Sequence, residues 1–294
     1  MLNSNPQAWF REKLACPDCG AGLRLEPSAI VCEACGFTDD TGKDLRPRKL
    51  RPYPLMLPGH LSVDIAQTLN TLDTRNPVAR YQGPAAMRDS RELMSELSVR
   101  VPYGGAVLDL GCGPRDQFIP LNYLGYRYVG FDYSNPAADF LADAHAIPFK
   151  QDSFDCVFSY AVLEHLHNPF IAIREIERVL KSGGVFIGTV SQGEPFHDSF
   201  FHHTPWGLVS VLTSVPGLKL MRLWASGDTL GALARMGRYS RIIKRLLAAL
   251  DVLNRKAPWL TPRKMRWPQK QKELDRIYRA GSLCFVIQKN GQAE

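Results

Sequence analysis

The stretch "AVLDLGCGPRDQF", residues 106–118, constrains the fold more than any other part of the chain. Its apolar start is a buried strand that runs straight into a turn containing Gly111 and Gly113. Glycine lets such a turn bend sharply and lets a ligand approach the backbone closely. Asp109 stands inside the apolar run, where a core strand has no use for a charge unless that charge holds something. From here onward, short apolar runs alternate with amphipathic stretches. The runs predict strands at 106–110, 127–132, 139–142, 154–159, 184–190, 218–225 and 282–288. Helices are expected at 116–124, 168–181, 205–214, 239–254 and 269–280, with helical periodicity also at 61–73 and 85–99. This alternation implies an α/β fold: an open, mostly parallel, seven-stranded sheet with helices on both faces.

Four of the seven cysteines form "CPDCG" and "CEACG", placing Cys16, Cys19, Cys32 and Cys35 in two pairs with twelve residues between them. Two such knuckles supply the four tetrahedral ligands that Zn²⁺ wants. Gly20 and Gly36 follow each pair, where a tight knuckle benefits from a residue without Cβ. Four thiolates leave no open coordination position, so the metal is expected to be structural. Its loss should then leave the rest of the chain's ligand binding nearly intact. Cys112, Cys156 and Cys284 read as solitary thiols.

The expected organisation is a small N-terminal zinc ribbon over 1–45, a Pro- and Arg-rich linker with a leading helix over 46–77, and a large domain over 78–294. No run approaches the ~20 apolar residues of a membrane span. The N-terminus lacks a secretory apolar run, so a cytoplasmic location is expected. Charge is uneven. Residues 232–279 hold fourteen Lys and Arg against Asp251, Glu273 and Asp275, a surplus of +11 in a chain whose net charge is +7.

In an open parallel sheet, ligands sit beyond the carboxyl ends of the strands, near the point where strand order reverses. Three acidic residues stand at successive strand ends: Asp109, then Asp132 in "RYVGFDYS", then Asp143 beside Ala144 in "ADFLADAHAIPF". A fourth strand, in "SFDCVFSYAVLEHL", returns the chain to the same edge at Ser159–Tyr160. An acidic side chain at Asp132 suits the hydroxyls of a ribose. Clustered carboxylates argue against a pyrophosphate, which wants an uncluttered helix N-terminus, and so against NAD.

With "LDLGCG", "FDYS", "DAHAIPF", "FDCVFSYAVLEHL" and "GGVFIGTV" in order, the chain resembles the class I S-adenosylmethionine-dependent methyltransferases, of the type 11-like group. The resemblance covers roughly residues 78–290 and implies a Rossmann-like sheet. It implies that Asp109, Gly111 and Gly113 hold the methionine portion of S-adenosyl-L-methionine. Asp132 would take the ribose, Asp143 and Ala144 the adenine, and Ser159–Tyr160 would line the floor near the sulfonium. Pro114-Arg115 departs from the group, which often has another glycine there, leaving Arg115 to face solvent or a substrate. The cysteine module is similar to short zinc ribbons associated with RNA-directed methyltransferases, although a shared ribbon does not carry a substrate with it.

Methyl transfer from a sulfonium depends chiefly on alignment and desolvation, so a base is not obligatory. Candidates near the acceptor are His165, His203 with its neighbour His202, and Tyr160. The plainer readings are a helix-start histidine, two surface-loop histidines and, for Glu164, a first-turn carboxylate. In the basic segment, Ile242, Ile243, Leu246, Leu247, Leu250 and Leu253 form one helical stripe, ringed by Arg and Lys. Such a helix over 238–256 docks on the sheet, closes as a lid, contacts a membrane surface or touches RNA. The expected activity is methyl transfer to a small-molecule or lipid/glycan-linked acceptor. The alternatives are an RNA base methyltransferase and a non-catalytic cofactor-binding scaffold.

Overall fold

The computed structural model describes residues 8–49, 64–84, 90–193, 198–228, 240–256 and 268–291. Trp259, Trp267 and the remainder of the basic segment lie outside the described residues. Three two-residue strands make a small sheet in the cysteine module: β1 (Arg24–Leu25), β2 (Ile30–Val31) and β3 (Thr38–Asp39). The large sheet contains β4 (Ala106–Leu110), β5 (Arg127–Asp132), β6 (Phe140–Leu141), β7 (Phe154–Tyr160), β8 (Leu180–Ser191), β9 (Leu218–Asp228) and β10 (Ala280–Lys289). Its order is β6-β5-β4-β7-β8-β10-β9. The pairs from β6 to β8 are parallel, and β10 runs antiparallel to both β8 and β9. The mostly parallel seven-stranded sheet is therefore as expected.

Every residue of β4 is buried, as a parallel strand covered on both faces requires. Alternate residues serve two cores. Leu108, Leu110, Val157 and Phe186 face one, while Val107, Cys156, Phe158 and Ile187 face the other. Each fully buried Val, Leu or Ile contributes about 1.5–3 kcal/mol, so the strand carrying the glycine turn is among the most firmly held. Leu93, Met94 and Leu97 of the helix Ser90–Arg100 complete the second core.

Helix starts follow local chemistry. Asn168 and Thr204 accept from the amides of Ile171 and Gly207, and each is followed by proline at the first helical position. The observed helices Pro169–Val179 and Pro205–Leu212 lie within the expected spans. β8 starts earlier than its apolar run, because Leu180 pairs with Phe154 before an irregularity at the glycines Gly183-Gly184.

The cysteine module is joined to the edge of the large sheet. The Leu45 amide donates to the Leu141 carbonyl at 2.7 Å, and the Leu141 amide to the Lys43 carbonyl at 2.9 Å. On the other side, Ala15 donates to Pro148 at 3.0 Å and Lys150 to Lys13 at 2.7 Å. Phe10, Leu14, Phe37 and Leu45 share one core with Phe140, Phe149 and Phe154.

The helix Arg241–Lys256 differs from the docked surface helix that its stripe allows. Ile242 is 72% exposed, Leu246 59% and Leu250 52%, so the stripe is not packed on the sheet.

Candidate active site

β4 lies between β5 and β7, and strand order reverses there. The carboxyl ends of β4, β5, β6 and β7 open on a cleft of about 960 Å³. Its walls are Gly111, the Asp132–Ser134 stretch, the Asp143–Ala146 turn and the segment carrying Val162 and His165. Phe200 and Pro47 contribute from further away in sequence.

Gly111 has φ +68°, a conformation that strains other residues, and a Cβ there would meet Val162 Cγ2 at 2.4 Å. Ala161, also at positive φ (56°), turns the chain after β7 so that Val162 faces the glycine turn. Asp132 ends β5 with its carboxylate held by three amides. Gly113 donates to Oδ2 at 2.9 Å, while Ser134 and Asn135 donate to Oδ1 at 3.0 and 2.9 Å. Gly113 thus helps to fix Asp132, and it does not itself line the cleft.

Asp143 caps the turn Ala144–Ala146, accepting from the His145 amide at 2.9 Å and lying 2.6 Å from His145 Nδ1. The Asn168 amide donates to His145 Nε2 at 3.1 Å, which assigns the ring proton to Nδ1 and directs it at Asp143. Burial pushes the Asp143 carboxyl up, but these hydrogen bonds outweigh it and hold the group below the usual carboxylate range. Ala144 lies beside it on the same wall.

Asp109 sits behind the turn at 1% exposure and accepts the Tyr128 hydroxyl at 2.9 Å. Burial raises its pKa to about 7, against the Tyr128 hydrogen bond and the Arg115 charge. Arg115 faces neither open solvent nor the cleft. At φ +67° it turns inward, pairs with Asp139 at 3.1 Å and lies over the rings of Phe118 and Tyr128. The position that often carries glycine is here filled by a cation against aromatic rings.

The structure brings Gly111, Asp132, Asp143, Ala144 and His165 together on the cleft. Asp109, Gly113, Ser159, Tyr160 and His203 lie outside its walls. Ser159 is fully buried in β7, and Tyr160 packs partly against the second core. His202 is exposed as a loop residue, but His203 is 5% exposed. Burial lowers the His203 pKa, opposed by a hydrogen bond with the Leu163 backbone, and Nε2 has no hydrogen-bond partner among the described residues. Glu164 is no exposed first-turn carboxylate. It is fully buried, accepts the Ser191 amide at 2.8 Å, and its carbonyl takes the amides of Phe200 and Phe201. It therefore ties the Phe200 loop to the cleft wall.

Sequence reasoning missed His145, Pro47 and Phe200. Only His145 carried a signal, since a histidine two residues after a turn carboxylate can return its ring to it.

In the cysteine module, Gly20 and Gly36 have φ of +81° and +76° and donate to the carbonyls of Cys16 and Cys32. Cys16 and Cys35 Sγ are 3.6 Å apart, as are those of Cys19 and Cys32, and all four lie within 4.8 Å of one another. That is too long for disulfides, at about 2.05 Å. It fits four thiolates around one tetrahedral ion, whose sulfurs stand about 3.8 Å apart for bonds of about 2.3 Å.

Residues 108–188 match the sequence family described as "Methyltransferase domain". Over 99 residues, 30% of this chain, the sequence is 39% identical to an uncharacterised protein of Methanocaldococcus jannaschii, covering 38% of it. Over 106 residues, 32% of this chain, it is 33% identical to a tRNA (carboxymethyluridine(34)-5-O)-methyltransferase of Arabidopsis thaliana, covering 26% of it. Over 108 residues, 33% of this chain, it is 33% identical to a demethylmenaquinone methyltransferase of Renibacterium salmoninarum, covering 45% of it. The chain thus spans less than half the length of each of these relatives. Family match, strand order and glycine turn agree: residues 108–188 are similar to a methyltransferase domain and lie in a sheet of matching, Rossmann-like order.

Proposed function

We propose that the protein transfers the methyl group of S-adenosyl-L-methionine to a small-molecule or lipid/glycan-linked acceptor. The observation that carries this reading is the convergence of Gly111, Asp132 and Asp143–Ala144 on one cleft at the strand-order reversal. When bound, the cofactor supplies an electrophilic methyl on a sulfonium.

In this reading Asp132, already oriented by three amides, takes the ribose hydroxyls. Asp143, steadied by His145, accepts from the adenine amine, while Ala144 offers a small backbone contact to the ring. Gly111 lets the methionine portion approach the turn. Asp109 acts behind it, holding Tyr128 and balancing Arg115 rather than touching the ligand. Val162, Leu166 and Phe200 exclude water from the site, which strengthens alignment-driven catalysis. His165, exposed on the cleft wall, accepts the acceptor's proton where the acceptor has one to lose. His203 and Tyr160 support the wall. Zn²⁺ on Cys16, Cys19, Cys32 and Cys35 is structural.

A second reading, an RNA acceptor, draws on the tRNA methyltransferase likeness and on the +11 of residues 232–279. Incubation with isotopically labelled cofactor and either lipid extract, small-molecule extract or RNA tests both. Label in a lipid or small-molecule fraction supports the proposal. Label in RNA alone overturns it in favour of the second reading.

A further inference from the structure

The helix Arg241–Lys256 is sixteen residues long, about 24 Å. At 100° per residue, Ile242, Ile243, Leu246, Leu247, Leu250 and Leu253 fall within an arc of about 140°. In an ordinary surface helix such a face is turned into the core. Here Ile242 is 72%, Leu246 59% and Leu253 49% exposed. Leaving so many large aliphatic side chains in water along one face marks a surface that meets something apolar.

The charges say what that is. Arg241, Lys244, Arg245, Arg255 and Lys256 stand against a single acid in the helix, Asp251. On the helical projection Arg245 and Lys256 border one margin of the stripe, and beyond the other come Asp251 and then Lys244. An aliphatic strip on a helix with five cations and one acid matches the interface of an anionic bilayer: side chains enter the acyl boundary, and basic heads stay with the phosphates. RNA would use the cations and leave the aliphatic strip in water, because nucleic-acid recognition relies on cations and aromatic stacking. Among the described residues no helix is long and apolar enough to cross a membrane, so the geometry is that of a helix lying in the surface.

We infer that the Arg241–Lys256 helix docks the protein on an anionic lipid surface, with its aliphatic stripe in the headgroup–acyl boundary. The inference does not depend on which acceptor the cleft takes. The test uses the full chain, co-sedimented with phosphatidylcholine vesicles with and without phosphatidylglycerol, at low and high salt. Binding is expected only with phosphatidylglycerol and should weaken with salt. Leu246→Ser/Leu250→Ser should reduce it roughly tenfold or more, because two aliphatic anchors are lost. Lys244→Glu/Arg245→Glu should reduce it similarly. S-adenosylmethionine affinity of each variant, measured alongside, should match the parent and so report a folded domain. Absence of vesicle binding in the parent overturns the inference, as does binding indifferent to the serine pair. So does a dimer in solution that the serine pair dissociates, or specific RNA binding that it leaves unchanged in place of lipid binding.

Discussion

Leu45 donates its amide to the Leu141 carbonyl at 2.7 Å, so the chain leaving the cysteine module becomes an extra rung on the edge of the large sheet. Two residues past Leu141, beyond the end of β6, comes Asp143, and past its turn Pro148 and Lys150 are bonded to Ala15 and Lys13. The module therefore grips the Asp143–Ala146 turn from both sides. Pro47, just after the grip, lines the cleft itself.

This arrangement argues against the expectation that a structural metal leaves ligand binding intact. Stripping the metal with a chelator, or Cys32→Ser, should lower the melting temperature. It should also weaken S-adenosylmethionine binding by about 1 kcal/mol or more, the scale of a hydrogen bond whose support is lost. Calorimetry on the metal-free protein checks it. Unchanged cofactor affinity in a folded, metal-free chain would show that the module and the cleft are uncoupled.

Asp109 gives a pH prediction. Its folded pKa of about 7 lies above the unfolded value near 3.9, so the folded state keeps the proton that the unfolded chain releases. Stability from this group falls as pH rises from about 4 to 7 and then levels off. Asp109→Asn carries no such charge and keeps an oxygen for the Tyr128 hydroxyl. Relative to the parent it should gain roughly 2–4 kcal/mol between pH 4 and pH 8. Denaturant titrations of both proteins across that range measure the difference, and parallel curves would refute the assignment.

Gly111 meets two constraints at once, a left-handed φ and contact with Val162. Gly111→Ala should cost about 1–3 kcal/mol of stability and weaken the cofactor site. Adding Val162→Ala should recover the part due to crowding and leave the part due to φ. Thermal melts of the single and double variants separate the two. A fully stable Gly111→Ala would mean that neither constraint holds.

How much of this was legible in the chain depends on the range of the signal. β4, the glycine turn and Asp132 are local: an apolar run, two glycines and a carboxylate at the run's end specify their own geometry. The cysteine cluster was equally legible, because the spacing of the two knuckles is enough to bring four sulfurs together. Asp109 was legible only in part. A carboxylate in a strand reads as a ligand contact, yet its partner is Tyr128, nineteen residues away on the next strand and visible only once the sheet is formed. Pro47, Phe200 and the inward turn of Arg115 likewise depend on tertiary contacts. The exposed stripe of Arg241–Lys256 was readable as amphipathic, but periodicity alone cannot say whether such a face is covered.

The central claim is that the cleft beneath Gly111, Asp132 and Asp143 holds S-adenosylmethionine, and Asp132→Ala tests it most directly. Isothermal calorimetry of the parent and the variant should show one cofactor per chain in the parent. The variant should lose about 1.5–3 kcal/mol of binding free energy, the scale of charge-assisted hydrogen bonds to the ribose. A variant with native circular dichroism and undiminished affinity, or a parent that binds no cofactor, would contradict the account.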